Sequence, residues 1–280
     1  MPFSKVKNLL LLILLLVNLT LLALVVPQRL AQRRQADAAV RHLENLFASY
    51  GLTLESGVLP DQAKPLTAME LEPDSDAALT AAKALLGDEL LAQDGEGRLA
   101  VTYDADGGRC TISRGGQLTA SLTGTESSEN LGSTAKELLR RMKIDAASVS
   151  APVRRSAGVY ELTAVQRLAG EPVFSASLVF SFRNSMLRAV DGTVHLTTGS
   201  IVSAGRERCI SCNDALVAFL ASRDTLGWVG GTITGVEQGY VRAETASAAV
   251  IQLTPGWLIS TDTGSYWING LTRDVCVFKP

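Results

Sequence analysis

The soft and imidazole chemistry of this chain rests on four cysteines and two histidines, and one pair of cysteines has a spacing that invites chemistry: Cys209-Ile-Ser-Cys212. A C-x-x-C at the start of a helix places a thiol against the positive end of the helix dipole, which lowers its pKa and makes a reactive thiolate. Redox sites of that kind follow a buried strand in a βαβ unit. Here the preceding residues are Gly205-Arg-Glu-Arg208, a charged loop. Cys209 and Cys212 are therefore a candidate redox or disulfide pair, with a local disulfide or two loop thiols as the expected structural reading. A four-cysteine zinc site would need Cys110 and Cys276 to converge on them without a second C-x-x-C, so no metal site is expected.

Asp104-Ala-Asp106-Gly107 opens like a calcium loop, but Gly115 stands where the twelfth-position glutamate belongs, and the segment reads as a hairpin turn. His195 lies in an alternating strand and His42 on a helix, and neither has an acid–base partner nearby in sequence. Nucleophile elbow, Walker loop, dinucleotide fingerprint and H-E-x-x-H are all missing. With Lys5 and Lys7 set aside, 24 basic residues face 28 acidic ones, a formal −4, which is no footprint for nucleic acid. The residues point to a non-enzymatic protein that acts without a cofactor.

The most distinctive segment near the C-terminus is Leu253-Thr-Pro-Gly-Trp257 through Tyr266-Trp-Ile-Asn269-Gly270. It reads as a hairpin. Pro255-Gly256 breaks the strand before Trp257, Asp262–Gly264 turns, and Asn269-Gly270 makes a second tight turn. Alternation puts Tyr266 and Ile268 on one face and Trp267 on the other. Closing the core is the expected role of these rings; Trp257, Tyr266, Trp267 and Asn269 are also the candidate interaction hairpin.

The elements that would position these groups follow from periodicity. Leu9–Val26 is an almost unbroken apolar run, and about 18 residues at ~1.5 Å each give roughly 27 Å of helix. The expected organisation is a cytoplasmic tail (1–8), a transmembrane signal-anchor (9–26), a juxtamembrane stalk helix (27–50) and three α+β units (51–130, 131–204, 205–280). Asn18 and Thr20 can bond back to the helix, Gly51 sits where the stalk would be capped, and the stalk's stripe would pack on its own domain or on a second copy. Flanking charges do not orient the span, since Arg29, Arg33 and Arg34 balance Lys5 and Lys7; a short tail before a large domain places 27–280 outside.

Helix signals recur at 77–86 after an Asp74-Ser75-Asp76 cap, from Ser133 or Thr134 to Met142, and at 215–220 after Asn213-Asp214. Each is followed by alternating strands, so the expected fold is α+β: repeated helix-plus-antiparallel-meander units.

The short basic tail Ser4-Lys5-Val6-Lys7 before a span, and an L-x-P-x-W…Y-x-(I/V)-N-(A/G)-x-T pattern at Leu253, Pro255, Trp257, Tyr266, Ile268, Asn269, Gly270 and Thr272, resemble the YycH/YycI family of Gram-positive bacteria. Helix 215–221 followed by Gly239-Tyr240 is similar to that family's last repeat and to PepSY-type domains. The resemblance covers the N-terminal run and about the last 70 residues, and the middle only in element order. Cys209 and Cys212 are not part of the pattern. The resemblance implies an extracytoplasmic α+β domain at the cell envelope, single-pass in the cell membrane. Its partners would be the bilayer, a membrane sensor kinase of a two-component system (WalK in that family) and a related accessory regulator. The alternatives from the residues are a tethered PepSY-type binding module and a thiol oxidoreductase.

Overall fold

Residues 11–18, 20, 41–60, 63–94, 99–123, 130–197, 202–203, 205–243 and 250–279 are described by the computed structural model. The chain divides into two units, Met1–Glu55 and Ser56–Pro280.

In the first unit the apolar run is helical over 11–18. Asn18 Nδ2 donates to Leu14 O at 3.0 Å and Thr20 Oγ1 to Val17 O at 2.8 Å, so both polar side chains are satisfied by the preceding turn. Among the described residues no helix is long and apolar enough to cross a membrane. That finding overturns the single-pass transmembrane helix expected over 9–26. The cell-membrane localisation, with a cytoplasmic N-terminus and extracytoplasmic residues 27–280, goes with it. The expected tail, the rest of the run and the start of the stalk fall on 1–10, 19 and 21–40, outside the described residues. A helix over 41–49 buries Leu43 and Phe47. Gly51 at φ +71° ends it, and Leu52 N donates to Phe47 O at 2.9 Å. Strand β1 (Thr53–Leu54) follows.

The second unit begins with β2 (Met69–Leu71) and α1 (Ser75–Leu86). Asp74 caps α1 by accepting from Asp76 N and Ala77 N, and Gly87 ends it with its N–H on Lys83 O. Next come β3 (Leu91–Asp94), β4 (Ala100–Ala105), β5 (Gly108–Ser113) and β6 (Gln117–Leu122). Helix α2 (Leu131–Arg141) starts two residues before the expected caps, because Asn130 takes that role by accepting from Ser133 N. Strands β7 (Ala146–Val149), β8 (Val153–Ser156), β9 (Val159–Leu168), β10 (Glu171–Arg183), β11 (Met186–Thr193) and β12 (Val202–Ser203) lead to α3 (Cys212–Ala221) and the single turn α4 (Arg223–Leu226). The chain then forms β13 (Thr232–Arg242), β14 (Ile251–Thr261), β15 (Ser265–Asn269) and β16 (Val275–Phe278).

These elements do not make helix-plus-meander repeats, which corrects the expected fold class. The strands of the second unit merge into one large mixed sheet along the path β12-β2-β14-β13-β10-β11-β6-β5-β4-β3, with β9, β7 and β8 branching from β10 and β15 and β16 from β14. The cause is strand length. Backbone donors and acceptors along a buried strand must all be paired; β9 runs along one edge of β10 from Glu171 to Arg183, but the other edge of β10 and one edge of β14 are each longer than any one neighbour. Strand β10 faces β11 over Leu178–Arg183, and at Val173 it pairs in parallel with Tyr240 of β13. Strand β14 pairs with β2 over Ile251–Leu253 and with β15 over Gly256–Ser260. Two long strands thus sew the meanders into one sheet.

The break expected at Pro255-Gly256 is also absent, and β14 runs unbroken from Ile251 to Thr261. Proline weakens a strand by withholding an N–H from the ladder. Pro255 lies between the β2-paired and β15-paired stretches of that edge, where its missing donor opens no gap.

Helices α1 and α2 cover the β4–β6, β10 and β11 region, where Ala81, Leu118, Leu138, Phe180 and Val190 share one core cluster. A second cluster gathers Met69, Leu71, Val173, Tyr240 and Leu253.

Candidate functional site

The two sequence candidates, the C-x-x-C and the aromatic hairpin, are brought together. Ile210, between the cysteines, is held from both directions: its N–H donates to Gly270 O at 2.9 Å, and its carbonyl accepts from Trp257 Nε1 at 3.0 Å. Gly270 N in turn donates to Pro255 O at 2.8 Å, and Cys209 N to Leu66 O at 2.8 Å. The segment before Leu66 is clasped by Gln238, which accepts from Lys64 N at 2.8 Å and donates to Lys64 O at 2.9 Å. Ser211 starts α3 by accepting from Asp214 N at 3.1 Å while its hydroxyl donates to Asp214 Oδ2 at 2.7 Å. Cys212 is therefore the first residue of the helix, where the dipole would favour a thiolate.

Burial overrides the dipole. All four cysteines are free thiols, with Cys209 and Cys212 half-buried, Cys110 buried and Cys276 exposed. Burial pushes Cys212 up to about 12. Cys209 is raised by burial as well, with hydrogen bonding from Gln238 and Trp257 offsetting part of the shift. A nucleophilic redox thiol needs a depressed pKa, and both members of the pair move the other way.

The hairpin residues are spent on structure. Trp257 is fully buried, and Tyr266 and Trp267 are buried on opposite faces of β15. The Tyr266 ring packs against Phe219 of α3 at 5.1 Å and Trp228 at 6.4 Å, and Trp267 meets Phe174 of β10 edge-on at 6.1 Å. Cross-strand glycines Gly239 and Gly256 make room for the latter pair. A Cβ at Gly239 would sit 2.6 Å from Phe174 Cε2, and one at Gly256 2.6 Å from Trp267 Cζ2. Asn269 Oδ1 accepts from Leu271 N at 2.9 Å and Thr272 N at 3.2 Å, and the Thr272 hydroxyl reaches Asp274 at 2.5 Å. A Cβ at Gly270 would overlap Cys209 Sγ. Nearly every residue carrying the family-like pattern is thus accounted for by turn formation or close packing.

Elsewhere, Asp106-Gly107 joins β4 to β5 as a hairpin turn. No cluster of three or more metal-ligating side chains exists among the described residues. His42 lies in the 41–49 helix. His195, just past β11, is buried to 2 % exposure, with neither ring nitrogen partnered. Burial, then the charge of Arg242, pushes its pKa down to about 4.

A further site had no signature in the sequence. A cleft of about 640 Å³ opens beside the N-terminus of α1. Val101, Tyr103, Ile112, Val194, Leu196 and Ile251 are its apolar lining, and Glu72, Asp74, Ser75, Ser113 and Arg114 its polar lining. Five distant segments contribute, so no local spacing could have disclosed it. A concave site lined by apolar and polar side chains together can hold a small molecule or a peptide segment.

No family model matches the chain, and no curated protein does. Among solved structures it is similar to an uncharacterized protein from Eubacterium rectale ATCC 33656. That match has a TM-score of 0.52 and 9% identity, and it covers 81% of this chain and 90% of the other. At that identity the likeness concerns the fold alone: a large, strand-dominated mixed sheet carrying helices.

Proposed function

We propose that this protein is a non-enzymatic regulatory binding module that modulates a sensor histidine kinase of a two-component system, as the YycH/YycI resemblance implies. Its working surface in this reading is the cleft beside α1, which receives a partner segment. The observation that carries the reading is the contrast between two regions. The cysteine–hairpin junction is closed by mutual packing and hydrogen bonds, while the cleft stays open and is lined by apolar side chains together with Arg114 and Glu72. Ligand-driven regulation requires differential contact with two partner states, and the cleft is large enough to supply it.

A photo-crosslinking residue at Ala100 or Ser113 of the full chain, expressed in the cell of origin, tests this. The expected result is an adduct with a sensor kinase that disappears when Ala78→Arg fills the cleft. In vitro, adding the full chain should change that kinase's autophosphorylation rate. An unchanged rate with a folded chain, or adducts lacking any kinase, overturns the reading.

A further inference from the structure

Strand β16 lies beyond β15, and among the described strands it pairs with β15 alone. Directly opposed residues of an antiparallel ladder alternate between pairs that exchange hydrogen bonds and pairs that do not. Asn269 N donates to Asp274 O at 2.9 Å, so that pair is a bonded one. Two residues along, Trp267 and Cys276 are the next bonded pair, and Ser265 and Phe278 the one after. On the other edge of β15, Thr261 N donates to Gly264 O at 2.8 Å, which by the same alternation gives the backbones of Tyr266 and Ile268 to β14. Both bonds set the same phase. The N–H and C=O groups of Val275 and Val277 therefore point away from β15, toward an edge that no strand among the described residues covers.

Sheet margins are commonly blunted by charge or brevity. Here β8 carries exposed Arg154 and Arg155, and β12 has two residues. Strand β16 reads Val-Cys-Val-Phe, with neither a charge nor a proline. Val277 is 53 % exposed, and Cys276 is the one exposed cysteine of the four.

We infer that β16 pairs antiparallel with β16 of a second copy of this chain, about a two-fold axis through Cys276, so that the sheet continues from one copy into the other. The outward groups are self-complementary in that register. Val275 of each copy opposes Val277 of the other, and every outward donor and acceptor of the strand is used, in four hydrogen bonds. An axis at Val275 or at Val277 would oppose only one outward residue of the strand to another and form two. The contact is isologous and closes after two copies. Cys276 then faces its own symmetry mate in a non-hydrogen-bonded pair, where Cα atoms stand about 4.5 Å apart, within the span of a disulfide. Four residues a side bury far less than the ~1,200 Å² of a stable complex. The pairing is thus weak and exchanging, and Cys276 is its native reporter.

The full chain is oxidised with diamide, an azo compound that takes one hydrogen from each of two thiols and becomes a hydrazine as the S–S bond forms. Interchain disulfide is followed on non-reducing gels and located by peptide mapping. The control chain carries Cys276→Ser and Val153→Cys, a thiol on the charge-blunted edge β8 at a position 49 % exposed. Cys276 should link at least tenfold faster than the control thiol, because pairing raises the local thiol concentration. Val277→Pro deletes an outward N–H and none that β15 receives, and should bring the rate down to the control's. Val277→Lys keeps every backbone bond of the strand, puts a charge on the edge, and should slow linking as well. Should Val277→Pro lose its thermal transition, Val277→Lys decides alone. Linking at Cys276 no faster than in the control, an undiminished rate in the folded Val277 variants, or a disulfide through Cys209 or Cys212 instead overturns the proposal. Strand β16 does not line the cleft, so the outcome is independent of whether the cleft engages a kinase.

Discussion

Replacing Gly270 by alanine should open the junction between the cysteine loop and the hairpin, with a loss that can be worked from the geometry. The Gly270 backbone is pinned at both ends, N–H on Pro255 O at 2.8 Å and C=O receiving Ile210 N at 2.9 Å. A new Cβ therefore cannot swing aside. It would overlap Cys209 Sγ and stand 2.7 Å from Pro255 O and 3.1 Å from Gly256 Cα. Pro255 and Gly256 belong to β14, which is paired with β13 along this stretch, so the sulfur is the atom free to retreat. Overpacking of this kind destabilises by about 1–3 kcal/mol. For a unit of this size that is a fall in Tm of roughly 2–12 °C. Cys209 should also move toward water, lose the burial that raises its pKa, and alkylate faster at pH 8 than in the parent, with buried Cys110 as the slow internal standard. The assay pairs thermal unfolding with site-resolved iodoacetamide labelling. Adding Cys209→Ala to Gly270→Ala should recover part of the lost stability in a double-mutant cycle, since the overlap with the sulfur goes while the contact with Pro255 O stays. A Tm within about a degree of the parent together with unchanged Cys209 labelling, or a cycle showing no coupling, refutes the steric argument.

Two further outcomes follow from buried polar groups. Trp257→Phe removes the donor that satisfies Ile210 O and should destabilise by about 1–3 kcal/mol beyond the lost volume. Trp228→Phe deletes an indole N–H that has no partner and should be clearly milder, so equal losses by chemical denaturation would contradict the bonding scheme. For His195 the folded-state pKa of about 4 lies below the ordinary 6.5, so the unfolded chain binds the proton first as pH falls. Stability attributable to this group is thus intact above about pH 6.5, declines down to about pH 4 by on the order of 3 kcal/mol, and is flat below. His195→Gln should remove that segment of the stability–pH curve, and an unchanged slope between pH 6.5 and 4 would show that the imidazole is not the group responsible.

How far the sequence reaches depends on the distance over which its rules act. Asp74 and Gly87 bound α1 because a cap bonds to amides within one turn, and Asp106-Gly107 and Asn269-Gly270 turn because their geometry is set within four residues. These devices were legible, and so was the alternation that puts Tyr266 and Trp267 on opposite faces. The apolar run 9–26 was legible as composition. Strand partnership was not legible. That β10 meets β13 in parallel, that Pro255 falls where β14 changes neighbours, and that the meanders fuse into one sheet all depend on pairings between residues far apart in the chain. The chemistry divides in the same way. The sequence by itself determined which groups are present: a C-x-x-C at a helix start, two histidines and an aromatic hairpin. Only the tertiary structure decided their state. It packed Cys209 beneath Gly270, left the pair as half-buried thiols, and left the His195 ring without a partner. Desolvation and charge proximity are properties of the space around a group, and that space is furnished by segments the local sequence does not contain.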